Sequence, residues 1–411
     1  MSHLADLINE LCPDGVEYKN IGSFADCVAG ATPKTTDPTF WDGDIPWMSS
    51  GEVNKGTVYS TDRFITKAGY DSCSTKMVPP GAVVIALAGQ GKTRGTVART
   101  RIELCTNQSL CSILPQECVN SDFLYHFLAG EYDNLRAVSS GDGTRGGLNL
   151  KMIRAYKVPV PPLAVQCEIV KILDQFTTLE AELEAELEAR RAQYEYYREQ
   201  LLSYDALVSR CPNGVQYKSI GSFSKCVAGA TPNSKNPSLW DGDIPWMSSG
   251  EVNKKTVYST NRFITQLGFD SCSTKMVPAG AVVIALAGQG KTRGTVARIR
   301  IELCTNQSLC AIITDKTVDS DYLFHYLSGQ YDNLRAVSSG DGTRGGLNLK
   351  MIRAYKVPVP PIEEQRRIAD VLDRFDTLVN DISSGLPAEI AARRAQYEYY
   401  RDRLLSFSEK K

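Results

Sequence analysis

Histidine is nearly absent from this chain, with three in 411 residues, and none of the twelve cysteines forms a Cys-x-x-Cys pair. Neither a zinc site with the usual ligand spacing nor a disulfide framework is written here. The cysteines read as reduced, small apolar residues bound for the interior. Long hydrophobic runs are missing as well. The longest uncharged apolar stretch, Val83-Val84-Ile85-Ala86-Leu87-Ala88, is far short of the roughly 20 residues a membrane-spanning helix needs. The N-terminus lacks the basic and then apolar pattern of a signal peptide, so the expected location is the cytoplasm. An excess of either charge is lacking too. There are 46 Lys+Arg against 47 Asp+Glu, a net charge of −1, and the pI is 6.4. Nucleic-acid-binding domains often have a pI above ~9, so any DNA-binding surface has to be local.

What is present is a globular composition, 42% hydrophobic and 23% charged, at a length that suggests two or three domains of roughly 150 residues. The repeat decides how they are arranged. Cys12–Pro162 aligns without a gap on Cys211–Pro361, an offset of 199, with most positions identical. A unit this long is a duplicated domain and not a solenoid repeat, whose periods run ~20–50 residues. Each copy is followed by a helical segment, Leu163–Tyr204 and Ile362–Phe407, and both segments contain Ala-Arg-Arg-Ala-Gln-Tyr-Glu-Tyr-Tyr-Arg. The order is therefore domain, long helix, domain, long helix.

Within a copy, Ile45–Met48, Ala82–Leu87, Gly95–Arg99 and Leu110–Leu114 have the β-branched, Gly- and Pro-bounded character of strands. Asp122–Val138, behind Ser121 as its cap, reads as one helix. In the first long helix Val165, Ile169, Ile172, Phe176, Leu179, Leu183, Tyr194, Tyr197 and Leu201 recur largely by threes and fours. The second repeats this pattern, interrupted at Ser384-Gly385-Leu386-Pro387. Such a seam needs a partner, and antiparallel pairing of the two helices supplies one. At 1.5 Å per residue a ~40-residue helix is about 60 Å long, enough to act as a spacer.

Ala86–Thr93 matches a relaxed phosphate-loop pattern, but a true phosphate loop opens a helix. Here Gly95-Thr96-Val97-Ala98 follows, which is strand chemistry, so nucleotide hydrolysis is rejected. What remains is a glycine-rich tip presenting Gln90, Lys92, Thr93 and Arg94. Gln and Arg pair bidentately with adenine and guanine edges, whereas Lys and Thr suit phosphates; the alternative is a solvated polar hairpin. The loop Ser139–Gly147, with Arg145 at its centre, and the turn Ser49-Ser50-Gly51-Glu52 are further candidates, the latter as a base-reading or capping turn. In the second copy the same set is Ser248, Ser249, Gln289, Lys291, Thr292, Arg293 and Arg344. Arg99, Arg101, Lys151, Arg154 and Lys157 offer the local positive surface that the net charge conceals, or else a merely solvated face. No nucleophile elbow, metalloprotease motif or dinucleotide fingerprint occurs, nor the Asn/Asp-Pro-Pro-aromatic tetrapeptide of amino-methyltransferases. His126 and His325 lie on an otherwise apolar helix, where a core or surface role outweighs catalysis, and His3 falls outside the repeat.

Gly30-Ala31-Thr32-Pro33, Trp41-Asp42-Gly43-Asp44-Ile45-Pro46-Trp47, Val158-Pro159-Val160-Pro161-Pro162 with Gln166, and Ala189–Arg198, each repeated in the second half, give the chain its character. On these residues it resembles the specificity subunit of type I restriction-modification enzymes, over nearly its whole length. The resemblance implies two near-identical α/β target-recognition domains, 1–162 and 205–361, in a pseudo-two-fold arrangement. Two helices, 163–204 and 362–411, would separate them and pack as an antiparallel coiled coil. It also implies a non-enzymatic, DNA-reading role, with two modification subunits as partners and, through them, the motor-nuclease restriction subunits. S-adenosylmethionine, ATP and magnesium are expected on those partners and no cofactor on this chain. Gln193, Tyr194, Tyr197, Gln396, Tyr397 and Tyr400 are the first candidates for partner docking. The family's Pro-Pro-Leu-x-Glu-Gln pattern is kept as Pro360-Pro361-Ile362-Glu363-Glu364-Gln365, but Pro161-Pro162-Leu163-Ala164-Val165-Gln166 lacks the acid. Identical readers related by a two-fold axis see reverse-complementary half-sites, so the expected target is an interrupted palindrome. The rival reading is a non-enzymatic scaffold whose duplicated domains bind a protein.

Overall fold

Val83-Val84-Ile85-Ala86 has no polar alternation because the strand it forms is covered on both sides. Val83 and Ile85 face a core shared with helices, while Val84 and Ala86 join a second cluster with Met48, Val53, Val58 and Leu104. That is how a fully enclosed strand reads in sequence. The computed structural model describes the whole chain apart from residues 1, 90–92, 140–146, 213, 289–291, 338–345, 382–383 and 411. In chain order, with short 3-10 turns between some elements, the first copy runs α1 (Ser2–Leu11), β1 (Tyr18–Asn20), β2 (Ala25–Ala29), β3 (Trp41–Met48), β4 (Thr57–Val58) and β5 (Arg63–Ile65). It continues through α2 (Lys67–Asp71), β6 (Val83–Ala86), β7 (Val97–Thr100), β8 (Cys105–Thr106), β9 (Leu110–Pro115), α3 (Ser121–Gly130), α4 (Tyr132–Ala137), α5 (Leu150–Ala155) and β10 (Lys157–Pro159) before entering α6 (Leu163–Leu202).

The strands form a five-stranded sheet ordered β2-β9-β6-β7-β4, a three-stranded sheet ordered β5-β3-β8 and the pair β1-β10. Pairing is parallel between β4 and β7 and between β3 and β8, and antiparallel elsewhere. The second copy repeats the three sheets in the same strand order, so the chain holds two near-identical α/β domains. Contacts group it into two compact units, Met1–Glu184 with Glu389–Lys411, and Ala185–Ala388. The division falls inside α6.

Inside the first unit, Phe176 stacks on Tyr400 with ring centroids 5.3 Å apart, and Arg394 bonds Glu180 and Glu184. Residue numbers rise on one helix as they fall on the other, which is the antiparallel seam the spacing predicts. Inside the second unit Tyr197 lies 5.5 Å from Phe375.

One detail departs from the sequence expectation and another agrees with it. The helix expected over Asp122–Val138 is two helices, α3 and α4, separated at Glu131. Its cap is Asn120 and not Ser121, because the Asn120 carboxamide accepts from the backbone N–H groups of both Asp122 and Phe123. The interruption expected at Ser384-Gly385-Leu386-Pro387 is present, and the second long helix runs as Ile362–Asn380 and Leu386–Leu404. The break is tight, since a Cβ on Gly385 would lie 2.6 Å from the Thr377 carbonyl, and Leu386-Pro387 opens the next helix where proline is tolerated.

Candidate nucleic-acid interface

The chain leaves β3, β6 and β8 at one end of the first unit, and backbone hydrogen bonds tie these exits together. Asn107 N–H donates to the Met48 carbonyl at 3.1 Å, just before Ser49. Leu87 donates to Ser109 at 2.8 Å, and Leu148 donates to Leu87 at 2.8 Å. The described flanks of the Gln90 loop and of the Arg145 loop are therefore side by side, next to the Asn107-Gln108-Ser109 turn and the Ser49 turn. The second unit repeats the arrangement with Asn306 to Met247 at 3.1 Å, Leu286 to Ser308 at 2.8 Å and Leu347 to Leu286 at 2.9 Å. Four segments far apart in sequence form one edge, because three of the strands end together and Leu148 is bonded to one of their exits.

Not every candidate on this edge faces outward. Ser49 is the cap of a 3-10 turn over Ser50–Lys55, in a reciprocal capping box with Glu52. Buried Glu52 accepts from Ser49 N–H at 2.7 Å, Asp62 N–H at 2.9 Å and Lys55 Nζ at 3.0 Å. Ser248 and Glu251 do the same. Of the two roles expected for this turn, capping is the one the geometry displays, while Ser50 and Ser249 are half-buried beside it. Thr93 and Thr292 are half-buried in the turn leading into the next strand. Arg94 and Arg293 are only 8% exposed, and the carbonyl of each accepts from Arg136 or Arg335, so their side chains belong to the interior of the unit. Gln90, Lys92, Arg145, Gln289, Lys291 and Arg344 lie outside the described residues. The segment after Thr93 is a turn and then β7, paired antiparallel with β6, which is strand–loop–strand geometry.

The basic cluster is also partly internal. Arg99, 8% exposed as a side chain, donates to Asp122 at 3.0 Å, to Asp174 at 2.7 Å and to Thr57 at 3.0 Å. Arg101 shares Asp122 at 2.9 Å. His126, fully buried, donates from Nε2 to Asp174 at 3.0 Å and accepts the Tyr397 hydroxyl proton on Nδ1 at 2.9 Å, the arrangement of a neutral ring. Burial holds its pKa below the ordinary 6.5, against the pull of Asp174. Burial also opposes ionisation of Asp174, yet the hydrogen bonds from His126 and Arg99 prevail and bring its pKa down to about 2. The second unit builds the same network from Arg298, Asp321, Asp373, His325 and Tyr194, with Asp373 at about 2. This network fastens the domain to its helices. Lys151, Arg154 and Lys157 remain exposed. Among the described residues no group of three or more His, Cys, Asp or Glu is placed to hold a metal, and no helix is long and apolar enough to cross a membrane.

The family model for the type I restriction modification DNA specificity domain matches this chain twice, over residues 13–189 and 212–392. The chain belongs to that family. It is 39% identical over 261 residues to the EcoR124I/EcoR124II specificity subunit of Escherichia coli, covering 61% of this chain and 63% of that one, a little under two thirds of the relative's length. Against the EcoprrI specificity subunit, also of Escherichia coli, identity is 26% over 409 residues, with 93% of each chain covered. Among solved structures, the S subunit of a type I restriction-modification system from M. genitalium superposes with a TM-score of 0.60 at 14% identity, covering 95% of this chain and 96% of that one. A chain from a structural study of complex assembly and conformational transition in the type I system gives 0.59 at 17% identity, covering 96% and 98%. Both show the fold.

In this specificity-family chain the proline–glutamine motif at the helix start is structural. Gln166 is fully buried; it donates to the carbonyls of Pro161 at 2.7 Å and Cys118 at 3.2 Å and accepts Asn120 N–H at 2.8 Å. Gln365 repeats this. The acid present only in the second copy, Glu364, pairs with Arg210 at 2.7 Å. Three of the tyrosines chosen for partner docking are wholly or partly buried, Tyr194 and Tyr397 holding the histidines and Tyr400 stacking on Phe176, while Tyr197 packs on Phe375 and is still 39% exposed. Gln193 and Gln396 accept from Arg190 and Arg393. The most exposed tyrosines of the two runs are Tyr196 and Tyr399, at 59% and 58%. The spacing by threes and fours that drew attention to the others is the spacing of a buried seam.

Proposed function

We propose that this chain is the DNA-reading specificity subunit of a type I restriction-modification system. It recognises a bipartite, interrupted-palindromic site in double-stranded DNA and directs adenine methylation and restriction by partner subunits, while carrying no catalytic group of its own. The carrying observation is the equality of the two edges. The same residues end the same strands with the same hydrogen bonds in both units, and equal readers call for equal half-sites. Two modification subunits bind the chain and bring the restriction subunits with them. S-adenosylmethionine, ATP and magnesium reside on those partners. The site of action is the cytoplasm.

The test is adenine-methylation mapping in a host that expresses the chain with its modification subunit, beside a control lacking the chain. A single interrupted palindrome methylated only when the chain is present is the expected result; two unrelated half-sites, or no new methylation from an assembled complex, would overturn the reading. A salt titration of DNA binding separates this from the protein-scaffold reading, because binding through phosphates weakens log-linearly with salt and an apolar protein interface does not.

A further inference from the structure

Gly30-Ala31-Thr32-Pro33 has so far no role, and neither has the Asn107-Gln108-Ser109 turn. The structure joins them. A Cβ on Gly30 would lie 1.8 Å from the Thr106 carbonyl oxygen, so only glycine lets the backbone come this close. Ala31 N–H then donates to that same carbonyl at 2.9 Å, and Trp47 Nε1 donates to the Ala31 carbonyl at 3.0 Å. Thr32 is thereby delivered to Gln108, whose Oε1 accepts the Thr32 hydroxyl proton. Gln108 is itself exposed on a braced turn: Asn107 Oδ1 accepts Ser109 N–H at 3.0 Å, and the backbone is bonded to Met48 on one side and Leu87 on the other. In the second unit Gly229, Thr231, Asn306 and Gln307 repeat every one of these features, with 1.7 Å for the Gly229 Cβ.

Resting on the DNA-reading role above, we propose that Gln108 and Gln307 each read one adenine, one in each half-site. A carboxamide whose oxygen takes one hydroxyl proton keeps a second lone pair on that oxygen and two N–H donors on Nε2. That is the complement of the adenine N6 donor and N7 acceptor in the major groove. The threonine bond fixes which end of the amide is the acceptor before DNA arrives, so less side-chain freedom is lost on binding. The position also fits: the turn shares its edge with the flanks of both glycine-rich loops, where phosphate contacts set the register and base contacts specify the sequence.

The experiment maps adenine methylation by the full chain with its modification subunit, comparing wild type with Gln108→Ala, Gln307→Ala and the double variant. Each single variant should relax one A·T pair in one half-site, with a roughly 5- to 150-fold loss of preference at that pair, and the double variant should relax both. Gln108→Glu keeps the shape and removes the donors, so preference there should move towards cytosine, whose N4 a carboxylate accepts. Thr32→Val, which leaves the glutamine in place, should weaken discrimination at that same pair. An unchanged motif, or a uniform fall in methylation with unchanged base preference, would show that Gln108 is a turn residue and overturn the proposal while the DNA-reading role stands. No methylated motif from the wild-type chain would remove the DNA-reading role itself, and this proposal with it.

Discussion

The two units agree at the strand-exit edge and disagree where they meet their helices. Arg298 carries a third carboxylate, Asp376 at 3.1 Å, at a position where the first copy has Thr177. Nearby, Lys255 adopts φ +58° and donates to Asn380 at 3.2 Å, whereas its counterpart is Gly56 at φ +65° and the counterpart of Asn380 is Ala181. Three differences between the copies thus gather at one contact. The duplicated sequence has been free to vary where the domain is fastened and has been left alone where the loops converge.

The sharpest way to break this contrast is to remove the buried cation. Arg99→Ala removes the buried cation that Asp122 and Asp174 share, leaving them only Arg101 and His126, and should cost about 3–5 kcal/mol of unfolding free energy. Arg298→Ala should cost more, because three carboxylates are left; denaturant unfolding of both variants checks the order. Acid attacks the same groups more gradually. Below pH 6.5 the unfolded chain takes up a proton that buried His126 resists, so stability starts to fall there. The share from Asp174 and Asp373 is complete above their ordinary value of 3.8 and disappears as the pH falls towards about 2. Melting temperatures across this range should therefore decline steadily, and a flat profile would contradict the network.

Smaller effects sharpen the contrast. Gly56→Ala forces a Cβ into left-handed backbone, 3.2 Å from the Tyr125 hydroxyl, and should cost about 1–2 kcal/mol. Lys255→Gly should instead stabilise by about 1 kcal/mol, so equal signs for the two changes would mean the copies are not strained differently. At the conserved edge the copies should respond alike: Ser49→Ala and Ser248→Ala should each cost about 1 kcal/mol, read as matching shifts in the melting curve.

Much of the fold was legible because it depends on neighbours in sequence. Val83–Ala86 is apolar throughout, the coiled-coil seam keeps its spacing, and Pro387 marks a break. The candidate site was harder to read because its logic is long-range. Arg99 looks like surface charge until Asp174, 75 residues away, is seen beside it. Periodicity put Tyr194 and Tyr197 on the seam but cannot say that the most exposed ring of that run is Tyr196, since a seam and a docking face leave the same pattern in one helix. Ser49 with Glu52 three residues on has the spacing of a capping box, yet the sequence reading left base reading and capping both open for this turn. Gln108 lacked any local signal beyond an Asn-x-Ser turn; its threonine partner lies 76 residues earlier.

The second unit is one uninterrupted stretch, Ala185–Ala388, whereas the first is built from two pieces and includes Glu389–Lys411. On the ribosome, where domains fold as units as they emerge, the copy encoded second is therefore complete first. The copy encoded first waits until Glu389–Lys411 has been made, when Tyr397 arrives to give His126 its hydroxyl partner. A chain released early, before Glu389, would carry a finished second unit and an unfinished first, and so would expose the apolar face that Tyr400 and Leu404 normally cover.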